Sequence, residues 1–231
     1  ITAKFPPIVS AYMQSQARYR WILGPFGSGK SVGSQVEIPR RAEMQRKSLL
    51  DGSKKTRIAV VRETMPQLRD TTMKTFFDWF PNGSLGEYHG QTKTYHIKKD
   101  GINCEVLFRA LDDEKDVANL LSIELTGAYL NEFRDIKRVI VEAIDGRLGR
   151  YPRVEEVGKD SWIGMWGDSN MPEIGSYWHN RLEGIDPEDG KTPKPIPGQE
   201  KFIQPPGMLR VGPNEYIENP AAENLDNLPA R

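Results

Sequence analysis

The sequence has one cysteine, no surplus charge of either sign and no long apolar run. A lone thiol, Cys104, excludes an internal disulfide. With no Cys/His cluster around it, it also argues against a zinc site, and burial in a strand is the expected role. Lys plus Arg number 32 and Asp plus Glu number 32, so the formal net charge is zero. No global field therefore draws the chain to nucleic acid or to a membrane, and any nucleic-acid contact falls to local basic clusters. No apolar stretch approaches a membrane span and the N-terminus lacks a signal-peptide pattern, so neither membrane association nor secretion is expected. No repeat recurs at a fixed period. The 231 residues suffice for one large α/β domain, or for one domain with a small appendage.

Against these absences stands one dense motif, Gly24-Pro25-Phe26-Gly27-Ser28-Gly29-Lys30-Ser31. It fits G-x-x-x-x-G-K-[ST], the phosphate-binding P-loop. Gly24, Gly27 and Gly29 let the backbone turn tightly and bring its N–H groups onto phosphate oxygens. Lys30 supplies a point charge for the β- and γ-phosphates, and the Ser31 hydroxyl is a ligand for Mg²⁺. The flanks agree. Residues 19–23 read as a short apolar strand, and from Lys30 the chain is helix-compatible to about residue 50, with Gly33 and Pro39 as its only breakers.

The rest alternates between strand and helix patterns. A helix is expected at 8–16, strands at 57–62, 123–130 and 162–166, and helices at 66–80, 112–121, 136–144 and 177–182. Leu68, Met73, Phe76, Phe77 and Phe80 recur near helical spacing and read as core. Residues 95–99 and 103–108 alternate around Asp100-Gly101, a hairpin signal. Residues 192–198 carry three prolines and read as a loop, and a short helix is allowed at 221–227. Alternating β and α elements imply a mostly parallel, wrapped sheet with the hairpin as an antiparallel insertion.

A P-loop binds nucleotide, and hydrolysis needs in addition a carboxylate for water and a holder for Mg²⁺. Ala128-Tyr129-Leu130-Asn131-Glu132 ends an apolar strand in Glu, with Asn131 where an acidic Mg²⁺ partner is expected. Asn131 can hydrogen-bond a metal-bound water but brings no negative charge. Trp162-Ile163-Gly164-Met165-Trp166-Gly167-Asp168 is a second apolar strand ending in an acid, and Asp168 is the alternative source of the acid that Asn131 is not. Functional residues of open α/β sheets gather at the carboxyl ends of strands, so both segments are expected to face the nucleotide.

The P-loop, then Val60-Val61-Arg62-Glu63-Thr64-Met65-Pro66-Gln67-Leu68-Arg69-Asp70-Thr71-Thr72, resembles the large terminase subunit of tailed bacteriophages. So does Glu124-Leu125-Thr126-Gly127-Ala128-Tyr129-Leu130-Asn131-Glu132, continued by Asp145-Gly146-Arg147-Leu148-Gly149-Arg150-Tyr151-Pro152. Gly167-Asp168-Ser169-Asn170 resembles the family's coupling motif. These matches run in order from Gly24 to about Pro172. The resemblance implies a P-loop NTPase of the additional-strand catalytic Glu (RecA-like) type, with ATP and Mg²⁺ as cofactors. It implies a motor that threads double-stranded DNA through a portal protein into a procapsid. The small terminase subunit is a further implied partner, and the implied assembly is a homo-oligomeric ring on the portal; with no net charge and a reduced ring contact surface, the isolated domain is expected to be largely monomeric in dilute solution. The implied setting is the host cell cytoplasm, with transient docking on the procapsid. By the same resemblance Lys30 and Ser31 contact phosphate and Mg²⁺, Asn131 stands at the metal, Glu132 is the catalytic base, and Asp168-Ser169-Asn170 links hydrolysis to motion. Residues 1–205 are then the ATPase domain and 206–231 a linker toward a nuclease domain absent from this chain.

Phosphoryl transfer also calls for an arginine, in cis or from a neighbour. Arg147 and Arg150 are favoured, because the glycines beside them let the turn approach a partner closely; Arg62, Arg69 and Arg109 are the alternatives. DNA contacts are expected from phosphate-directed clusters such as Arg40-Arg41, Arg46-Lys47 and Lys54-Lys55. Two other readings stay open: a helicase-like nucleic-acid ATPase, and a non-catalytic nucleotide-binding scaffold.

Overall fold

The computed structural model describes residues 4–111 and 114–223. The chain opens with α1 (Pro7–Gln14), β1 (Tyr19–Leu23), α2 (Lys30–Met44) and β2 (Lys54–Val61). A helical rod follows, built from α3 (Met65–Gln67), a π-helical segment (Leu68–Met73) and α4 (Lys74–Trp79). Next come β3 (Gly86–His89), β4 (Thr94–Lys99), β5 (Ile102–Arg109), α5 (Glu114–Ser122) and β6 (Gly127–Asn131). A 3₁₀ turn (Phe133–Asp135) leads to α6 (Arg138–Asp145), α7 (Val154–Val157), β7 (Gly164–Ser169) and α8 (Tyr177–Glu183). The described chain closes with β8 (Gln199–Ile203), β9 (Met208–Arg210) and β10 (Tyr216–Glu218).

Eight strands form one sheet in the order β3-β4-β5-β2-β6-β7-β1-β8. The six from β5 to β8 run parallel, while β3 and β4 add antiparallel strands at one edge. The sheet is open, and β9 and β10 pair separately. Every residue of β1, β6 and β7 is buried, which is why these segments read as near-continuous apolar runs. Alternation then divides each strand between two cores. Ile22, Ile58, Val60, Tyr129 and Trp166 pack with α1, α2 and the helical rod. Trp21, Leu23, Ala59, Val61, Leu130 and Met165 pack on the other face with residues of α6 and α8. Gly33 of α2 has no room for a side chain, because a Cβ there would stand 2.4 Å from Val9 Cγ1 of α1.

The expected α/β class, parallel sheet and hairpin are all present. Asp100 and Gly101 adopt φ of 52° and 78°, which is what a tight two-residue hairpin turn requires. Phe76, Phe80, Leu68 and Met73 are buried and Phe77 packs against them. Cys104 is fully buried in β5, and burial pushes its thiol up to about 12.

Several boundaries differ from expectation. Helix α2 runs through Pro39, held by burial of Ile38 and Ala42, but ends at Met44 rather than near residue 50. Strand β6 starts at Gly127: Leu125 N donates outside the sheet to Arg147 O, and Thr126 N donates to Arg57 O of β2 as the chain enters the sheet. Strand β7 begins later than expected and extends through Asp168 to Ser169. Strands β3 and β8 are additions that the sequence pattern does not announce. The helix expected from 112 starts at Glu114, with 112 and 113 outside the described residues. In 221–227, residues 224–227 are also outside them, and 221–223 form no helix.

Candidate nucleotide site

Strand β1 delivers the chain into the P-loop, and the glycines supply its shape. Gly27 and Gly29 take φ of 71° and 81°, left-handed values open to glycine at little cost. Gly29 is the N-cap of α2, so the loop's N–H groups and the positive end of the helix share one direction. Lys30, the first residue of α2, is buried, and its Nζ donates to Pro25 O at 2.7 Å, folded onto the loop. Burial pushes its ammonium below the ordinary lysine range, while Asp168 and Glu132 act to hold it up. Gly24 has no Cβ because one would stand 2.5 Å from Gln204 Oε1. Gln204 follows β8; its Oε1 lies 2.7 Å from Ser28 Oγ, and its Nε2 donates to Ser28 O at 3.0 Å and Glu223 Oε2 at 2.9 Å.

Strand order brings the carboxylates to this loop. Strand β7 lies between β6 and the P-loop strand β1, an additional strand inserted into the sheet. Its register sets Asn131 of β6 opposite Asp168 of β7, and Ser169 opposite Leu23 of β1. Tyr129 and Trp166 face α2, so two residues further on Asn131 and Asp168 do too. Asp168 is fully buried. Ser31 Oγ donates to its Oδ2 at 2.6 Å, Tyr129 Oη donates to its Oδ1, and Asn131 Nδ2 approaches the two oxygens at 3.2 and 3.3 Å. Thr72 Oγ1, from the π-helical segment, donates to Asn131 Oδ1 at 2.6 Å. Burial, and then the Asp168 charge, push the Tyr129 phenol well above its usual range, so it keeps the proton it donates.

Glu132 follows β6 with φ 48° and ψ 55°, a left-handed conformation that costs a non-glycine residue about 1–2 kcal/mol. Ser169 Oγ donates to its Oε2 at 3.2 Å. Glu132, Ser169, Asp168, Ser31 and Lys30 thus meet at the carboxyl ends of three adjacent parallel strands. The donor set is hard oxygen, a hydroxyl backed by a carboxylate, and this suits Mg²⁺, which binds through one or two protein oxygens plus nucleotide phosphates. No cluster of three or more His, Cys, Asp or Glu side chains able to cage a metal occurs among the described residues.

Other sequence candidates fall elsewhere. Arg147 and Arg150 bond through their backbones to Leu125, before the start of β6. They stand at the opposite end of the sheet from the P-loop, about 16 Å away along a five-residue strand. They cannot serve their own subunit's site; only a neighbour's is open to them. Asn170 continues β7 past Ser169, and its buried Oδ1 has no hydrogen-bond partner among the described residues. Arg62 is buried behind Asn131, donating to its carbonyl at 3.2 Å. Arg69 pairs with Asp70 at 2.7 Å, and Arg109 donates to the carbonyls of Thr92 and Phe108.

The basic clusters are paired in part within the chain, and Arg46 and Lys47 stand exposed. Arg40 and Arg41 both pair with the buried Glu37, Arg46 with Asp160, and Lys55 with Asp51 and Glu156. Sequence reasoning misses Gln204, Glu223 and Thr72, which reach the site from other segments by folding, and Tyr129, whose partner Asp168 lies on the neighbouring strand. It misses Arg134 as well, in the turn after Glu132, whose charge acts on Lys30.

No protein-family model and no curated protein matches the chain. Solved structures do. The large terminase of a thermophilic bacteriophage superposes with a TM-score of 0.63 at 12% identity, over 87% of this chain and 46% of that one. The same terminase in complex with ADP gives 0.60 at 14% identity, over 86% and 45%. The large terminase ATPase domain of Thermus phage P74-26 gives 0.53 at 19% identity, over 87% and 80%. The chain thus spans less than half the length of the first of these proteins. An open, mostly parallel α/β sheet with a P-loop and an added strand beside it is the RecA-like fold of the large-terminase ATPase domain, and that is the fold of this chain.

Proposed function

We propose that this chain is the ATP-hydrolysing motor domain of a viral DNA-packaging terminase, driving double-stranded DNA through a portal into a procapsid. One observation carries the reading: Lys30, Ser31, Asp168 and Glu132, drawn from three chain segments, converge beyond the carboxyl ends of β1, β7 and β6. Fold similarity to terminase ATPase domains, one of them solved with ADP, supports it.

In this reading the triphosphate enters the P-loop and Lys30 exchanges Pro25 O for phosphate oxygens. Ser31 and the Asn131–Asp168 pair would hold Mg²⁺, which would supply positive charge to the phosphates. Glu132 orients a water and takes its proton as the water oxygen attacks the γ-phosphorus. The bond from that phosphorus to the β–γ bridging oxygen breaks, leaving ADP and phosphate. The segment Asp168-Ser169-Asn170 touches both Ser31 and Glu132, which suits it to pass the hydrolytic state to the DNA-moving parts. The partners are double-stranded DNA, the portal and procapsid, the small terminase subunit, and further copies of the chain in a ring on the portal. The setting is the host cytoplasm.

The test pairs ATP turnover with DNA uptake. Lys30→Ala is expected to abolish turnover and weaken nucleotide binding, and DNA uptake is expected only with portal-bearing procapsids. Unchanged turnover in folded Lys30→Ala overturns the P-loop reading. Duplex unwinding without procapsids favours a helicase-like ATPase, and binding without turnover in the wild type favours a scaffold.

A further inference from the structure

We infer that the acid serving Mg²⁺ has moved one strand over: Asp168 of β7 supplies the carboxylate behind Ser31, and Asn131 of β6 is its obligatory neutral partner. This rests on the ATPase reading above and assigns its metal side.

The hydrogen-bond directions carry the inference. Ser31 Oγ spends its only proton on Asp168 Oδ2 at 2.6 Å, so its lone pairs are left for a cation. Asp168 is fully buried and takes two more donors, Tyr129 and Asn131. A carboxylate held by three donors keeps a fixed orientation toward Ser31. Asn131 is placed to help it rather than to replace it. Its Oδ1 accepts from Thr72 at 2.6 Å, and its Nδ2 points at both Asp168 oxygens. Were position 131 also an acid, two carboxylates would stand 3.2–3.3 Å apart, a separation at which both cannot stay ionised. Asparagine therefore follows from aspartate at 168: its amide donates to that carboxylate where a second acid would repel it. The departure at 131 and the acid at 168 are one feature, shared across adjacent strands.

The test is equilibrium binding of a fluorescent, slowly hydrolysed ATP analogue with and without Mg²⁺. Wild type is expected to bind more tightly with Mg²⁺. Asp168→Asn is expected to lose about 10–100-fold of that tightening, read as the ratio of affinities with and without Mg²⁺, the usual effect of a group supporting a metal ligand. The exchange Asn131→Asp/Asp168→Asn preserves net charge and an amide–carboxylate pair, and is expected to regain most of the Mg²⁺ response. Full Mg²⁺ tightening in Asp168→Asn overturns the inference. So does a folded double exchange that responds to Mg²⁺ no better than Asp168→Asn; should the single variant fail to fold, the double exchange decides alone. Absence of metal-free nucleotide binding in wild type would instead fail the ATPase reading itself.

Discussion

Ser169 and Glu132 lie on neighbouring strand ends, and the Ser169 hydroxyl donates to Glu132 Oε2 at 3.2 Å. Ser169 is buried while Glu132 is partly open, so the serine is the fixed member. With Glu132 held at φ 48°, backbone and side chain both aim the carboxylate from β6 toward the P-loop. Ser169→Ala is expected to lower single-turnover hydrolysis roughly fivefold, the value of one hydrogen bond of about 1 kcal/mol, and to leave ATP affinity unchanged. An unaltered rate would mean that the serine does not orient Glu132.

Gly24 and Gln204 share a space too small for a Cβ. Gly24→Ala places that atom 2.9 Å from Gln204 Cβ, which is not the mobile end of the side chain. Overpacking of this kind costs about 1–3 kcal/mol, so Gly24→Ala is expected to lower Tm and weaken ATP binding. Gly24→Ala/Gln204→Gly is expected to regain part of the ATP affinity, since the clash is gone while the Gln204 bonds to Ser28 are lost. Failure of the pair to recover would locate the damage elsewhere in the loop.

Glu37 is the acid that the buried Arg20 and Arg41 share, at the core end of the P-loop helix and strand. Removing one member of a buried ion pair leaves uncompensated charge and typically costs 3–5 kcal/mol. Glu37→Gln is therefore expected to unfold about 3–5 kcal/mol more easily in urea. A change below about 1 kcal/mol would show that the ring contacts of Arg20 with Tyr12, Trp162 and Trp166 suffice.

Arg147 and Arg150 can act only on a neighbouring copy. Under conditions that support assembly, Glu132→Gln subunits are mixed with Arg147→Ala/Arg150→Ala subunits. Partial rescue is expected, because an arginine supplied in trans is worth about 10³–10⁵ in related systems. No rescue, with specific activity independent of concentration, would leave the role to an arginine in cis or to none.

Much of this site is legible because its chemistry is compressed into local runs. The P-loop reads directly, since Gly27 and Gly29 are demanded by backbone φ and its Lys-Ser by phosphate and metal. Glu132 and Asp168 read as acids at the ends of buried strands. Which of the two strands adjoins β1 is a matter of tertiary order, and so the Ser31–Asp168 bond is invisible in the chain. Gln204 is hidden for the same reason: β8 is short, with exposed Glu200 and Lys201 at an edge of the sheet, so no apolar run announces it. Charge in sequence does not reveal pairing: of the basic dipeptides, Arg40-Arg41 places Arg41 in the core beside Glu37. Which end of the sheet carries Arg147 and Arg150 is not legible in the chain, because a glycine-rich turn has the same composition at either end.

The claim that Glu132 activates water at a P-loop ATPase site is tested most directly by single-turnover hydrolysis of Mg²⁺-ATP, read beside nucleotide binding. Glu132→Gln keeps the shape of the side chain and removes its basicity. It is expected to bind Mg²⁺-ATP as wild type does and to hydrolyse it about 10²–10⁴-fold more slowly. Hydrolysis at the wild-type rate by folded Glu132→Gln would contradict it and move the base to another residue.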